Sequence, residues 1–87
     1  MTVQFRKSFV KDLDALDPTY RTRVEKTILE LEAAKTLREM RQLKKLQGRS
    51  GFFRIRVGDY RLGLVVLARE VTLVRCLDRR EFYRHFP

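Results

Sequence analysis

Phe52-Phe53-Arg54-Ile55-Arg56-Val57-Gly58-Asp59-Tyr60-Arg61-Leu62-Gly63-Leu64-Val65-Val66 reads as two strands joined by a tight turn. Phe53, Ile55 and Val57 alternate with Arg54 and Arg56, the two-residue period of a half-buried strand. Gly58-Asp59 places glycine first in a two-residue loop, where a type II′ turn needs positive φ. With that turn, Val57 faces Tyr60, Arg56 faces Arg61 and Arg54 faces Gly63. One face then carries Phe53, Ile55, Val57, Tyr60, Leu62 and Leu64 and is a core face. The other gathers Arg54, Arg56 and Arg61 around a glycine expected to leave the surface open. Like charges directly opposite in a sheet are destabilising, so this face calls for an anion.

Outward from the hairpin, residues 2–6 alternate as a short first strand, and Ser8 is expected to cap a helix whose apolar positions are Phe9, Val10, Leu13 and Leu16. Asp17-Pro18 restarts a second helix, with Asp as N-cap and Pro at its first position. That helix is expected to run to about residue 35 and to bury Tyr20, Val24, Ile28 and Leu31. Its outer face, with Arg21, Arg23, Glu25, Lys26, Glu30 and Glu32, has the mixed charge of a solvated surface, so the helices read as scaffold. Leu37, Met40, Leu43 and Leu46 suggest a helical turn and then an extended piece leading to Gly48. After the hairpin come a turn near Arg69-Glu70, a strand from Val71 to Cys76, and a tail that Phe82 and Phe86 pin onto the sheet. The expected fold is α+β, one domain over residues 1–87. An N-terminal helical hairpin covers one face of a mainly antiparallel, about four-stranded sheet, with a short C-terminal helix or tail.

The chain has 87 residues and a net charge of +9, with 36% charged and 44% hydrophobic residues, which suits one small folded core and argues against disorder. The charge is uneven. Residues 1–37 carry seven Lys/Arg against six Asp/Glu, residues 38–61 eight against two, and residues 62–87 five against three. An excess concentrated in and just before the hairpin is the footprint of a nucleic-acid binder. No apolar run suggests a membrane span or a secretion signal, and a lone cysteine fits a reducing, cytoplasmic setting.

Metal and nucleophile chemistry find little support. One histidine and one cysteine, His85 and Cys76, cannot build a structural zinc site of N and S ligands. Cys76 ends an apolar strand and reads as core. No glycine-rich phosphate loop is present, and the carboxylates mostly lie on the helices, away from the arginines. Arginine, tyrosine and lysine remain. Arg54, Arg56 and Arg61 offer rigid forks suited to phosphate oxygens, and Arg79, Arg80 and Tyr83 follow the last strand. The face of Arg75 depends on a register that periodicity alone leaves open.

The helical hairpin, the step Leu46-Gln47-Gly48, the run Phe53–Arg61 and the tail Arg79-Arg80-Glu81-Phe82-Tyr83 together resemble the RelE/ParE superfamily of toxins from bacterial and archaeal toxin–antitoxin pairs. The resemblance covers essentially the whole chain. It implies, for the RelE branch, a ribosome-dependent endoribonuclease that cuts mRNA without a metal or other cofactor, partnered by a cognate antitoxin, mRNA and the ribosome. For the ParE branch it implies a DNA gyrase inhibitor without nuclease activity, and a non-catalytic nucleic-acid-binding module is a third reading. Carried over by position, the resemblance makes Arg54, Arg56, Arg61, Arg79 and Tyr83 the catalytic set, with Arg80 the alternative to Arg79 if the tail is shifted by one. Arg61 would stabilise charge on the phosphate and Tyr83 would be the general base. Lys44, Lys45, Arg49 and Arg80 are the expected RNA contacts, and Lys44, Lys45 and His85 are reserves for proton transfer. Two departures stand out. Arg54 and Arg56 replace lysines common in relatives, and arginine does not give up its proton. Asp78 stands where many members carry histidine.

Overall fold

The computed structural model describes all residues, 1–87. The chain runs β1 (Thr2–Phe5), α1 (Lys7–Asp14), α2 (Pro18–Ala33), a 3₁₀ turn (Leu37–Glu39), β2 (Leu43–Lys45), β3 (Phe52–Val57), β4 (Tyr60–Leu67), β5 (Glu70–Asp78) and α3 (Arg79–His85). The strands form one sheet in the order β1-β5-β4-β3-β2, antiparallel except that β1 runs parallel to β5. The sheet has five strands rather than about four, because the extended piece before Gly48 pairs with β3 as β2.

The hairpin has the expected register: Arg54 faces Gly63, Arg56 faces Arg61 and Val57 faces Tyr60. Gly58 has φ +58 and Asp59 is not left-handed, the pattern of a II′ turn. The following turn falls on Ala68-Arg69, one residue earlier than expected, with Ala68 at φ 56.

Asp17 caps α2 by accepting from the Tyr20 N–H at 3.0 Å, and Pro18 fills the first turn, where its missing N–H is not needed. Ser8 does not cap α1. The N-cap is Arg6, without a side-chain hydrogen bond, and the Ser8 hydroxyl donates to Val74 O at 2.6 Å. The reason lies in the sheet edge. β1 pairs only with residues 70–73, so β5 beyond Leu73 has backbone groups with no strand beside them. α1 supplies those partners. Ser8 serves Val74 O, and the Asp12 carboxylate accepts from the Cys76 N–H at 2.9 Å and from Arg75 at 2.8 and 3.2 Å. This places Arg75 in an ion pair with α1, and the carboxylate bond raises its pKa.

The main core lies between the helical hairpin and the sheet. Phe9, Leu16, Val24, Ile28 and Leu31 of the helical layer meet Ile55, Val57, Leu62, Leu64, Val71, Leu73 and Cys76. Burial pushes the Cys76 thiol up to about 12, with Asp12 adding to the effect, so this cysteine packs as a small hydrophobe. A second, smaller apolar cluster sits on the opposite face. There α3 docks through buried Phe82 and Phe86, whose ring centroids are 5.4 Å apart, and Phe86 meets Phe52 at 5.7 Å. No helix is long and apolar enough to cross a membrane.

Candidate nucleic-acid interface

The face turned away from the helical hairpin carries the cations. Because paired residues share a face, the register sets Lys44 beside Arg54, Arg54 beside Gly63 and Arg56 beside Arg61. None of these four cations is in an ion pair; the salt bridges join Asp12 to Arg75 and Glu81 to Arg84 and His85.

Two of the guanidinium groups are held by backbone carbonyls. Arg61 Nη1 donates to Gly58 O and Tyr60 O, both at 3.0 Å. Its Nε and Nη2 carry the other three donors and make no hydrogen bond within the chain, which leaves one edge of the fork free. Arg54 Nη1 donates to Gln42 O at 3.0 Å, while its Nε is shielded from solvent and has no partner. An unsatisfied buried donor ordinarily costs about 1–3 kcal/mol, so Arg54 is held at a cost in stability. Arg56 is exposed and borders the groove beside α2.

Gly63 does not leave the face open. It is buried, and a side-chain carbon built there would lie 2.7–2.8 Å from three atoms of the Phe86 ring. The missing side chain opposite Arg54 is the seat of α3. We expect Gly63→Ala to force Phe86 off the sheet and to destabilise the protein by roughly 1–3 kcal/mol, the usual cost of overpacking. Hydrogen exchange should show faster exchange across α3, and unchanged protection there would count against this role.

The tail splits in two. Arg79 N–H donates to Asp59 O at 2.9 Å, which ties the start of α3 to the hairpin turn. Arg79 and Arg80 are exposed and line a hollow at that end with Asp17, Asp59 and Asp78, without an ion pair to any of them. Asp78 caps α3, and the backbone N–H groups of Glu81 and Arg80 hold its pKa below the usual carboxylate range. Tyr60, in the same hollow, is shifted upward by burial and by Asp17 and Asp78. Tyr83 is 59% exposed, meets Phe82 edge-on at 5.0 Å and has no hydrogen bond to any arginine. His85 lies 3.4 Å from Glu81 on the same helix.

Of the expected RNA contacts, Lys44 shares the arginine face by register and Arg49 reaches it through Phe52. Lys45 pairs with Phe53 and therefore belongs to the opposite face. Arg49 stacks over Phe52, with Cζ 5.4 Å from the ring centroid, in the loop between β2 and β3. Phe52, Phe82 and Phe86 also bring aromatic rings to the basic side of the sheet, where only arginine and glycine were anticipated.

A sequence model of the ParE toxin of type II toxin–antitoxin systems, parDE, matches residues 3–83. The chain is 36% identical to Toxin RelE3 of Methanocaldococcus jannaschii over 88 residues, covering the full length of both. It belongs to the RelE/ParE toxin family.

Solved structures agree with that membership. A chain of the RelB–RelE antitoxin–toxin complex from Methanococcus jannaschii superposes with TM-score 0.83 at 34% identity, with 97% of this chain and 99% of that one covered. A chain of the archaeal RelE–RelB complex from Pyrococcus horikoshii gives 0.74 at 27% identity, covering 90% and 93%. Within the RelE/ParE frame, Asp78 is explained as the cap of α3, a role that histidine fills less well. Arg23 and Lys26 of α2, read as a solvated face, line a groove with Arg56, and their spacing of three residues on one helix was the available signal.

Proposed function

We propose that this toxin cuts mRNA on the ribosome by metal-free transesterification at the outer face of β3 and β4. The RNA's own 2′-oxygen forms the new bond to phosphorus and the 5′-oxygen leaves, so the protein needs no nucleophile of its own. Its task is alignment and stabilisation of the extra charge on the phosphorane. The observation that supports this best is the set of unpaired cations Lys44, Arg54, Arg56 and Arg61 on one face, with the free edge of Arg61 fixed by two backbone carbonyls. Arg79 and Tyr83 complete the proposed catalytic set by their positions in the family pattern, Arg79 from the hollow at the turn end and Tyr83 from the exposed side of α3.

Arginines hold charge but do not exchange protons at neutral pH; Tyr83 is the proposed base by its position in the family pattern, with Lys44, Lys45 and His85 in reserve. Tyr83→Phe should reduce cleavage by about 10²–10⁴-fold, the range of a lost general base, with little change in melting temperature. Full cleavage by that variant would remove Tyr83 from the chemistry.

A cognate antitoxin is the proposed protein partner, since the similar structures from two archaea are toxin–antitoxin complexes. A ParE-like gyrase inhibitor is the second reading, favoured by the matching ParE sequence model. One experiment separates the two: after induction, map mRNA ends on translating ribosomes. Breaks clustered in A-site codons support the nuclease. Intact mRNA with trapped gyrase–DNA breaks supports the inhibitor.

A further inference from the structure

The groove between α2 and the β2–β3 edge, about 380 Å³, has Arg23, Lys26 and Glu30 on one wall and Gln42 and Arg56 on the other. It closes on Gly58 at the hairpin turn. Three cations face one carboxylate, and none of the three is in an ion pair. Lys26 and Glu30 are four residues apart on one helix and still do not pair. Arg23 is held in place, with Cζ 4.9 Å over the Tyr20 ring. Its Nη1 lies 2.8 Å from where a side-chain carbon on Gly58 would sit, so glycine at the turn admits the guanidinium. The strand-side wall is tied together at Gln42, whose carbonyl accepts from the Arg56 N–H at 3.1 Å and from Arg54 Nη1 at 3.0 Å.

Arg56 belongs to both surfaces. By register it stands on the outer face opposite Arg61, and by position it lines this groove. The basic surface therefore turns the edge of β3 without a break and continues along α2. We infer that the groove is a second subsite for the RNA backbone, where Arg23 and Lys26 hold phosphates of the same strand beyond the bond being cut. The inference rests on the proposed RNA-cutting function for the identity of the strand. A polynucleotide engaged at the outer face has backbone on both sides of that bond, and the groove gives one side a path. Unpaired, partly oriented cations suit that task, because each phosphate they neutralise releases counterions.

The test uses the full-length protein and a single-stranded RNA made uncleavable by 2′-O-methylation, with Kd measured across a range of salt concentrations. Counterion release from single strands contributes a slope of about 0.7 per phosphate contact, so Lys26→Gln should weaken binding roughly fivefold at about 0.1 M salt. R23Q/K26Q should weaken it roughly 25-fold and lower the slope by about 1.4. Lys26 is exposed, so its single variant keeps the test valid even if loss of Arg23 disturbs the turn. Lys11→Gln removes the same charge from α1 and should leave the slope as it is. The inference is overturned if Lys26→Gln behaves like wild type, if Lys11→Gln has an equal effect, or if wild type does not bind the RNA. It is also overturned if the groove variants loosen a cognate antitoxin segment but not RNA. Wild type that binds this RNA but leaves mRNA uncut on ribosomes would refute the nuclease reading alone.

Discussion

Arg61→Ala should lower RNA cleavage by about 10²–10³-fold, the usual effect of removing one preorganised donor to a developing oxyanion. The expectation follows from how the side chain is held. Nη1 is anchored by Gly58 O and Tyr60 O at 3.0 Å each, so the remaining edge of the fork is oriented before any substrate arrives. A group that is already aimed does not have to reorganise when charge develops, and this preorganisation makes it effective. The variant also loses two partly buried hydrogen bonds at the turn, a cost of about 1–2 kcal/mol that should leave the protein folded. Arg61→Lys separates charge from geometry. It keeps the cation but not the planar fork, and should recover only part of the rate. Single-turnover cleavage of ribosome-bound mRNA measures both variants. Wild-type rates for Arg61→Ala would place the chemistry elsewhere.

Asp12→Ala should be the most damaging substitution outside the apolar core. With the Ser8 hydroxyl, its carboxylate links α1 to the part of β5 that β1 leaves unpaired, and it alone satisfies three donors there. The side chains of Asp12 and Arg75 are 14% and 28% exposed, so the pair is largely removed from water. Loss of the carboxylate leaves the Arg75 charge without a partner and the Cys76 N–H without an acceptor. The expected cost is about 3 kcal/mol, below the full value for a deeply buried pair because some solvent reaches Arg75. For a domain of this size that corresponds to roughly 10–25 °C in melting temperature. Adding Arg75→Met to Asp12→Ala should restore part of the loss, since the damage comes from the orphaned charge rather than from a missing attraction. Thermal melts of the single and double variants decide the matter, and a single variant within about 0.5 kcal/mol of wild type would contradict it.

The hairpin was legible because its causes are local. Alternation of Ile55 and Val57 with Arg54 and Arg56 sets the faces, and Gly58 at positive φ sets the register. The start of α2 was legible for the same reason, since Asp17 and Pro18 act within one turn. Ser8 was misread. A serine before an apolar run is a good local cap, but here the open backbone of β5 claims its hydroxyl. Gly63 was misread because its partner, Phe86, lies 23 residues along the chain and on another element. β2 was missed as a strand because three residues carry too little alternation to distinguish an edge strand from an extended loop.

The amino-acid sequence by itself determined which faces the hairpin presents, where the second helix begins, and that the positive charge gathers near the turn. Each of these depends on interactions between residues a few positions apart. Tertiary structure alone decided that Asp12 pairs with Arg75, that Phe86 covers Gly63, and that Arg23 and Lys26 come to lie beside Arg56. Those contacts join distant parts of the chain, and they exist only once the helical hairpin, the sheet and α3 have packed together and fixed one another's positions.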